Sequence, residues 1–298
     1  MSDYSRAAAR SVFVFIESFS TSFSAASKLL PVPMRRDIAA LYSLVRVADE
    51  TVDGAAAQAG LAPYQVGERI SELADEVHRA IETGFSVNPA VDPFSHVALR
   101  CGIGWDLLEP FFASMRADAA GTASTLSVDD YVYGSAEVIG LMCLKIFANH
   151  GPVTNMEEAA AGARALGRAF QWVNFLRDYR EDTLILHRTY VDEAVGPLTD
   201  ETKTILTDRI DTDLDTALAT IHLLPAGARP AVLAAADLFA ELNRILRATS
   251  AARIREGRIS VPRATKARIL SSAVATSMAP GIYRARRKAQ HRRSEEQQ

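Results

Sequence analysis

Gln171-Trp172-Val173-Asn174-Phe175-Leu176-Arg177-Asp178-Tyr179-Arg180-Glu181-Asp182 spaces two amides and two carboxylates by three, four and four residues. On an α-helix those four side chains share one face. Asp178 and Asp182 would then stand about 6 Å apart along the axis and repel by about 0.2–0.5 kcal/mol. A second stretch does the same. Tyr42, Arg46, Asp49 and Asp53 step by four, three and four, within a motif Asp49-Glu50-Thr51-Val52-Asp53. Each aspartate pair falls near the predicted end of its helix, where the macrodipole disfavours negative charge. Carboxylates placed against their interest twice call for a compensating partner, and a hard divalent cation such as Mg²⁺ prefers such oxygens.

The surrounding sequence is helical. Val66, Ile70, Leu73, Val77 and Ile81 recur at helical intervals before a stop at Gly84. Pro230 opens another such segment, through Val232, Leu233, Ala236, Phe239, Leu242 and Leu246. Thr154 with Glu157 reads as a capping box opening a helix to about Asp182. Ser127 with Asp130 is a weaker cap for a helix ending near Gly151. Pro31 and Pro33 mark a helix start and Gly54 its end, which places Asp53 in a last turn. Residues 86–94 and 187–198 read as loops, and Ile259 to Val261 as a short strand at best. The fold class is all-α, one domain over residues 1–283, followed by a basic, disordered tail at 284–298 containing Arg284, Arg286, Arg287, Lys288, Arg292 and Arg293.

The chain has 298 residues, 48 % of them apolar, with a net charge of −3. That is an ordinary globular balance and carries no signature of nucleic-acid binding. Cys101 and Cys143 read as buried free thiols. No secretory signal or transmembrane run is evident, so the expectation is a cytoplasmic chain. Its basic tail offers a peripheral contact with the inner face of an anionic membrane.

One Asp-x-x-x-Asp on a helix is ordinarily a solvated face. Two of them, in phase with amides and with Arg46 and Arg177, point to a polar cleft for a metal-bridged polyphosphate, because guanidinium matches phosphate oxygens in a bidentate way.

The motifs carry a resemblance. Ser22 to Pro31, then Arg35-Arg36, Ala40-Leu41-Tyr42, Arg46 and Asp49 to Asp53 resemble the first signature of the squalene and phytoene synthase family. Gln171 to Asp182 resembles the second, followed by Arg188-Thr189-Tyr190. Tyr131-Val132-Tyr133-Gly134-Ser135-Ala136 with Gly140 resembles its middle motif, and Arg258 with Pro262 its late basic motif. The first motif is worded most like bacterial phytoene synthases.

The resemblance implies an isoprenoid synthase helical bundle around a central cavity that takes two prenyl diphosphates. It implies Mg²⁺, with Mn²⁺ as an alternative, held by Asp49, Asp53, Asp178 and Asp182, with Asn174 among the donors. Tyr42 and Arg46 join the aspartates in the catalytic set. Ser22, Arg177, Arg188, Tyr190 and Arg258 match positions near the phosphates. Tyr131, Gln171 and Asn174 match positions along the cleft. Phe23, Ile139, Leu141, Leu166 and Phe170 are candidate apolar liners. The implied reaction is head-to-head condensation of two geranylgeranyl diphosphates to phytoene through a cyclopropyl diphosphate, without NADPH. The alternatives are squalene, dehydrosqualene or presqualene diphosphate synthesis from farnesyl diphosphate, or a non-catalytic assembly factor. Glu137 falls where relatives carry a small residue. A carboxylate there is costly unless paired.

Overall fold

The computed structural model describes residues 2–121 and 126–277, so the basic tail and the 283/284 boundary lie outside the described residues. The helices in order are α1 (Asp3–Phe19), α2 (Thr21–Ser27), α3 (Val32–Glu50), α4 (Pro63–Thr83), α5 (Val91–Cys101), α6 (Trp105–Ala120), α7 (Val128–Asn149), α8 (Met156–Leu184), α9 (Tyr190–Val195), α10 (Asp200–Thr220), α11 (Arg229–Ala248), α12 (Ala251–Glu256) and α13 (Arg263–Ser277). Among the described residues there is no strand.

The periodic segments fold as read. α4 buries Val66, Ile70, Leu73 and Val77, and Gly84 ends it at φ 75°, a left-handed value that suits glycine. α11 begins next to Pro230 and buries Leu233, Ala236, Leu242 and Leu246. Ser127 caps α7 by accepting from the Asp130 N–H.

Several local expectations are corrected. Asn155, rather than Thr154, caps α8, accepting from the Glu158 N–H. Thr154 instead ties its own N–H to the Leu223 carbonyl. Pro93 sits in the first turn of α5, where a missing N–H costs nothing. The segment 187–198 contains α9. Residues 259–261 are irregular. Cys101 and Cys143 are half-buried rather than fully enclosed.

Two π-turns interrupt the helices. One, Thr51–Ala55, follows α3 and contains Gly54 at φ 145°. Asp53 therefore lies in a π-turn, not in a last α-helical turn. The other, Tyr133–Glu137, is inside α7. Such turns rotate the downstream face of a helix and gather at functional sites.

The core has two main parts. One gathers α3 to α7 around Phe94, Leu108, Phe111, Phe112 and Met142. The other gathers α8 to α12 around Trp172, Leu176, Leu206, Ile210 and Leu246. α8 joins them, its Ala159 in the first part and its Trp172 to Leu176 in the second. α7 and α8 cross very closely. A Cβ on Gly140 would overlap the Ala163 carbonyl, and one on Gly167 the Ala136 carbonyl. The crossing fixes the apolar end of α8 and so aims its polar end. Val128–Asn149 is the one described helix apolar and long enough to cross a membrane, and over half of its most apolar stretch is buried inside the protein.

Candidate active site

α8 carries a stripe of half-buried residues whose chemistry changes along its length. Ala163, Leu166, Gly167 and Phe170 lead into Gln171, Asn174, Arg177 and Asp178. α3 carries a matching half-buried stripe of Tyr42, Val45, Arg46 and Asp49. The other candidate liners, Phe23, Ile139 and Leu141, are half-buried as well.

The polar ends of the two stripes converge. Arg188, four residues beyond α8, donates to Asp53 at 2.8 Å and reaches the Val52 carbonyl at 3.4 Å. It therefore ties the second motif's wall to the first. Burial pushes the Asp182 carboxyl up to about 7, with Asp178 adding to it and Asp53 and Asp118 contributing across the cleft. Burial likewise raises Asp49 to about 7, helped by Asp53. The Asp49 side chain still keeps 32 % of its surface open to the cleft.

Around this centre the other residues take distinct positions. Arg46 pairs with Glu50, lies 4.0 Å from Asp49, and stacks over the Phe19 ring at 4.5 Å. Tyr42 stacks on Phe23, ring centroids 5.4 Å apart, and burial raises its phenol. Arg177 folds back on Asp178, its Nε 3.0 Å from either oxygen. Arg258, exposed, approaches the same carboxylate at 3.1 Å. Ser22 and Gln171 are half-buried beside their motifs. Asn174 leaves its Oδ1 buried with no hydrogen-bond partner.

One residue is missing from the sequence reading. Asp118, on α6, accepts from the Tyr131 hydroxyl at 2.9 Å, from the Tyr190 hydroxyl, and pairs with Arg188 at 3.5 Å. Burial pushes it up to about 6, against the opposing pull of Arg188 and both tyrosines. The Tyr131 and Tyr190 rings stack 4.4 Å apart, and Tyr190 stacks on Phe175 at 4.6 Å. Both phenolic protons are thus committed to Asp118. No local pattern announces this residue, whose partners lie 13 and 72 positions away.

Glu137 is 5 % exposed and paired, taking Arg164 at 2.7 Å and Arg168 at 2.8 Å. The expected burial cost is met by two guanidinium groups.

Among the described residues, no three acidic, imidazole or thiol groups stand close enough to hold an ion as they are. The donor set nevertheless suits a hard cation. It offers carboxylates pushed toward neutrality by burial and by neighbouring carboxylates and an amide oxygen without a partner.

The sequence model of squalene/phytoene synthases matches residues 16–195. The chain is 31 % identical over 290 residues to the 15-cis-phytoene synthase of Paracoccus sp. (strain N81106 / MBIC 01143), covering 88 % of this chain and 90 % of that one. It is 27 % identical over 168 residues to the 4,4'-diapophytoene synthase of Staphylococcus haemolyticus (strain JCSC1435), 56 % of each. A solved dehydrosqualene synthase shares the fold, with a TM-score of 0.74 at 19 % identity over 91 % of this chain and 97 % of that one. The chain belongs to the squalene/phytoene synthase family, prenyltransferases that condense prenyl diphosphates head to head.

Proposed function

We propose that this chain is a phytoene synthase, joining two geranylgeranyl diphosphates without a reductant. The observation that carries the reading is the α8 stripe, apolar at Ala163 to Phe170 and carboxylate-bearing at Asn174 to Asp182. A prenyl diphosphate has that same polarity, a long hydrocarbon ending in a polyanion. The 31 % identity to a phytoene synthase over most of both chains supports the longer substrate.

Asp49, Asp53, Asn174, Asp178 and Asp182 would hold Mg²⁺, or Mn²⁺ in its place. Bound there, the ion would neutralise charge developing on a departing diphosphate. Arg46, Arg177, Arg188 and Arg258 supply guanidinium donors around the same anion. Ser22 and Gln171 add neutral donors at the rim. In the first step, C1 of one chain bonds to the alkene of the other, the C1–O bond breaks, and a cyclopropyl diphosphate forms as a proton is lost. In the second, the remaining C–O bond breaks, the carbon skeleton rearranges, and a proton leaves to give the central alkene. Phe23, Ile139, Leu141, Leu166 and Phe170 keep water from the carbocations. Tyr42 presents a π face from the Phe23 stack.

A shorter substrate is the second reading, favoured by the diapophytoene synthase relative. Incubation with Mg²⁺ and either geranylgeranyl or farnesyl diphosphate, with mass identification of the hydrocarbon, decides between them. Phytoene from the longer substrate is expected. A product from farnesyl diphosphate alone would reassign the substrate. No diphosphate release from either would leave the assembly-factor reading.

A further inference from the structure

Asp118 is 8 % exposed and sits at the meeting point of four segments. It is on α6. It accepts from Tyr131 at the start of α7 and from Tyr190 at the start of α9, and it pairs with Arg188 in the connection between α8 and α9. The Arg188 guanidinium is divided between two carboxylates, Asp118 on one side and Asp53 on the other. Its side chain is 9 % exposed. The groups facing it are thus fixed: Asp53 and the Val52 carbonyl from the first motif's turn, Asp118 from α6, and Asp182 nearby from α8.

These two anchors are not equivalent. Asp53 is exposed and belongs to the set that would bind the cation. Asp118 is buried and also accepts from two tyrosine hydroxyls whose rings are stacked against each other and Phe175. A carboxylate held that way cannot turn toward the cleft without breaking both hydrogen bonds. It can, however, keep Arg188 at the cleft when Asp53 turns to another partner.

We propose that Asp118 is the positioning residue for Arg188, the fixed pole that keeps its guanidinium aimed at the diphosphate while Asp53 is engaged elsewhere. The tyrosine pair is the brace of that pole. This role rests on the proposal that the cleft binds a diphosphate.

The two ways Asp118 could act on an anion have opposite signs. As a bare negative charge it repels pyrophosphate, so its removal would tighten binding. As the anchor of Arg188 it aids binding, so its removal weakens it. Calorimetric titration of the full chain with inorganic pyrophosphate, at fixed saturating Mg²⁺, separates them. Asp118→Asn is expected to lose about tenfold in affinity, the scale of one charge-assisted hydrogen bond. Arg188→Gln should lose at least as much. In the Arg188→Gln background, Asp118→Asn should cause no further loss, because there is no guanidinium left to position. A purely structural role for Asp118 would instead weaken binding in both backgrounds.

Unchanged or tighter binding by Asp118→Asn, or losses that multiply in the double variant, would overturn the inference. If Asp118→Asn does not fold by circular dichroism, Asp118→Glu replaces it. That variant keeps the charge but displaces Arg188, and wild-type affinity in it would also overturn the inference. Wild-type protein that binds no pyrophosphate with Mg²⁺ would refute the diphosphate reading itself, a different outcome from any of these.

Discussion

Midway along α8, Arg164 and Arg168 meet Glu137 and Asp213. Further along the same helix, Asn174, Asp178 and Asp182 share a face, and Asp182 lies near Asp53 and Asp118. In the first region every charge is answered. Arg168 donates to Asp213 through two nitrogens, at 2.9 and 2.6 Å, and to Glu137 at 2.8 Å, while Arg164 takes the other Glu137 oxygen. Hydrogen bonds to Asp213 and Glu137 hold Arg168 firmly charged. In the second region the charges are only partly answered. Asp49 and Asp182 are pushed to about 7 by burial and by neighbouring carboxylates, and Asn174 has an orphaned oxygen. One helix therefore carries a finished structural network and an unfinished one. The unfinished one is where a ligand adds most, since binding it relieves repulsion that folding alone left in place.

The largest expected effect breaks the unfinished region. Asp178→Asn should lower turnover by about a thousandfold, in line with losing a main electrostatic contact to a transition state. Its helical circular dichroism and melting temperature should stay near wild type. A comparable loss of fold would place Asp178 with the structural network instead.

The finished region should respond in the opposite way. Arg168→Met takes the guanidinium from Asp213 and leaves Glu137 with Arg164 alone, and should cost about 2–3 kcal/mol in denaturant unfolding, less than a fully buried pair because Arg168 keeps 36 % of its surface in water. A midpoint equal to wild type would mean that the network is decoration.

A smaller effect comes from pH. The folded-state pKa values of Asp49 and Asp182, about 7, exceed their ordinary value of 3.8. The folded chain therefore binds those protons more tightly than the unfolded one. In chelator, stability from these groups is full below about pH 4 and falls as pH rises through about 7. Thermal melts across that window should show the decline, and Asp182→Asn should flatten it. A stability that climbs over the same window would contradict the raised carboxyl values.

The smallest effect concerns the cysteines. Burial raises the Cys101 thiol to about 11 and that of Cys143 to about 12, so alkylation at pH 8 should be slow for both in the native protein and fast after unfolding. Rapid native labelling would contradict it.

How much of the fold and the site was legible follows from distance along the chain. Helical stripes repeat every few residues, so the α4 core face and both aspartate motifs could be read directly. The Thr154 and Asn155 caps differ by one position, and a tertiary bond from Thr154 to Leu223 decided between them. The π-turn at Asp53 needs the left-handed φ of Gly54, which the sequence permits without requiring. Asp118 was not legible because nothing near it in sequence marks it. Glu137 reads as a misfit in the sequence, but its partners Arg164 and Arg168 come from the next helix and only the α7–α8 crossing brings them in.

The central claim is that the two aspartate motifs together hold a divalent cation beside a diphosphate. Electron paramagnetic resonance of Mn²⁺ with inorganic pyrophosphate tests it most directly. Wild-type protein should bind the ion, and Asp49→Asn and Asp178→Asn should each abolish much of that binding, although the two residues lie on different helices. Binding that survives both substitutions, or that only one of them affects, would contradict the claim.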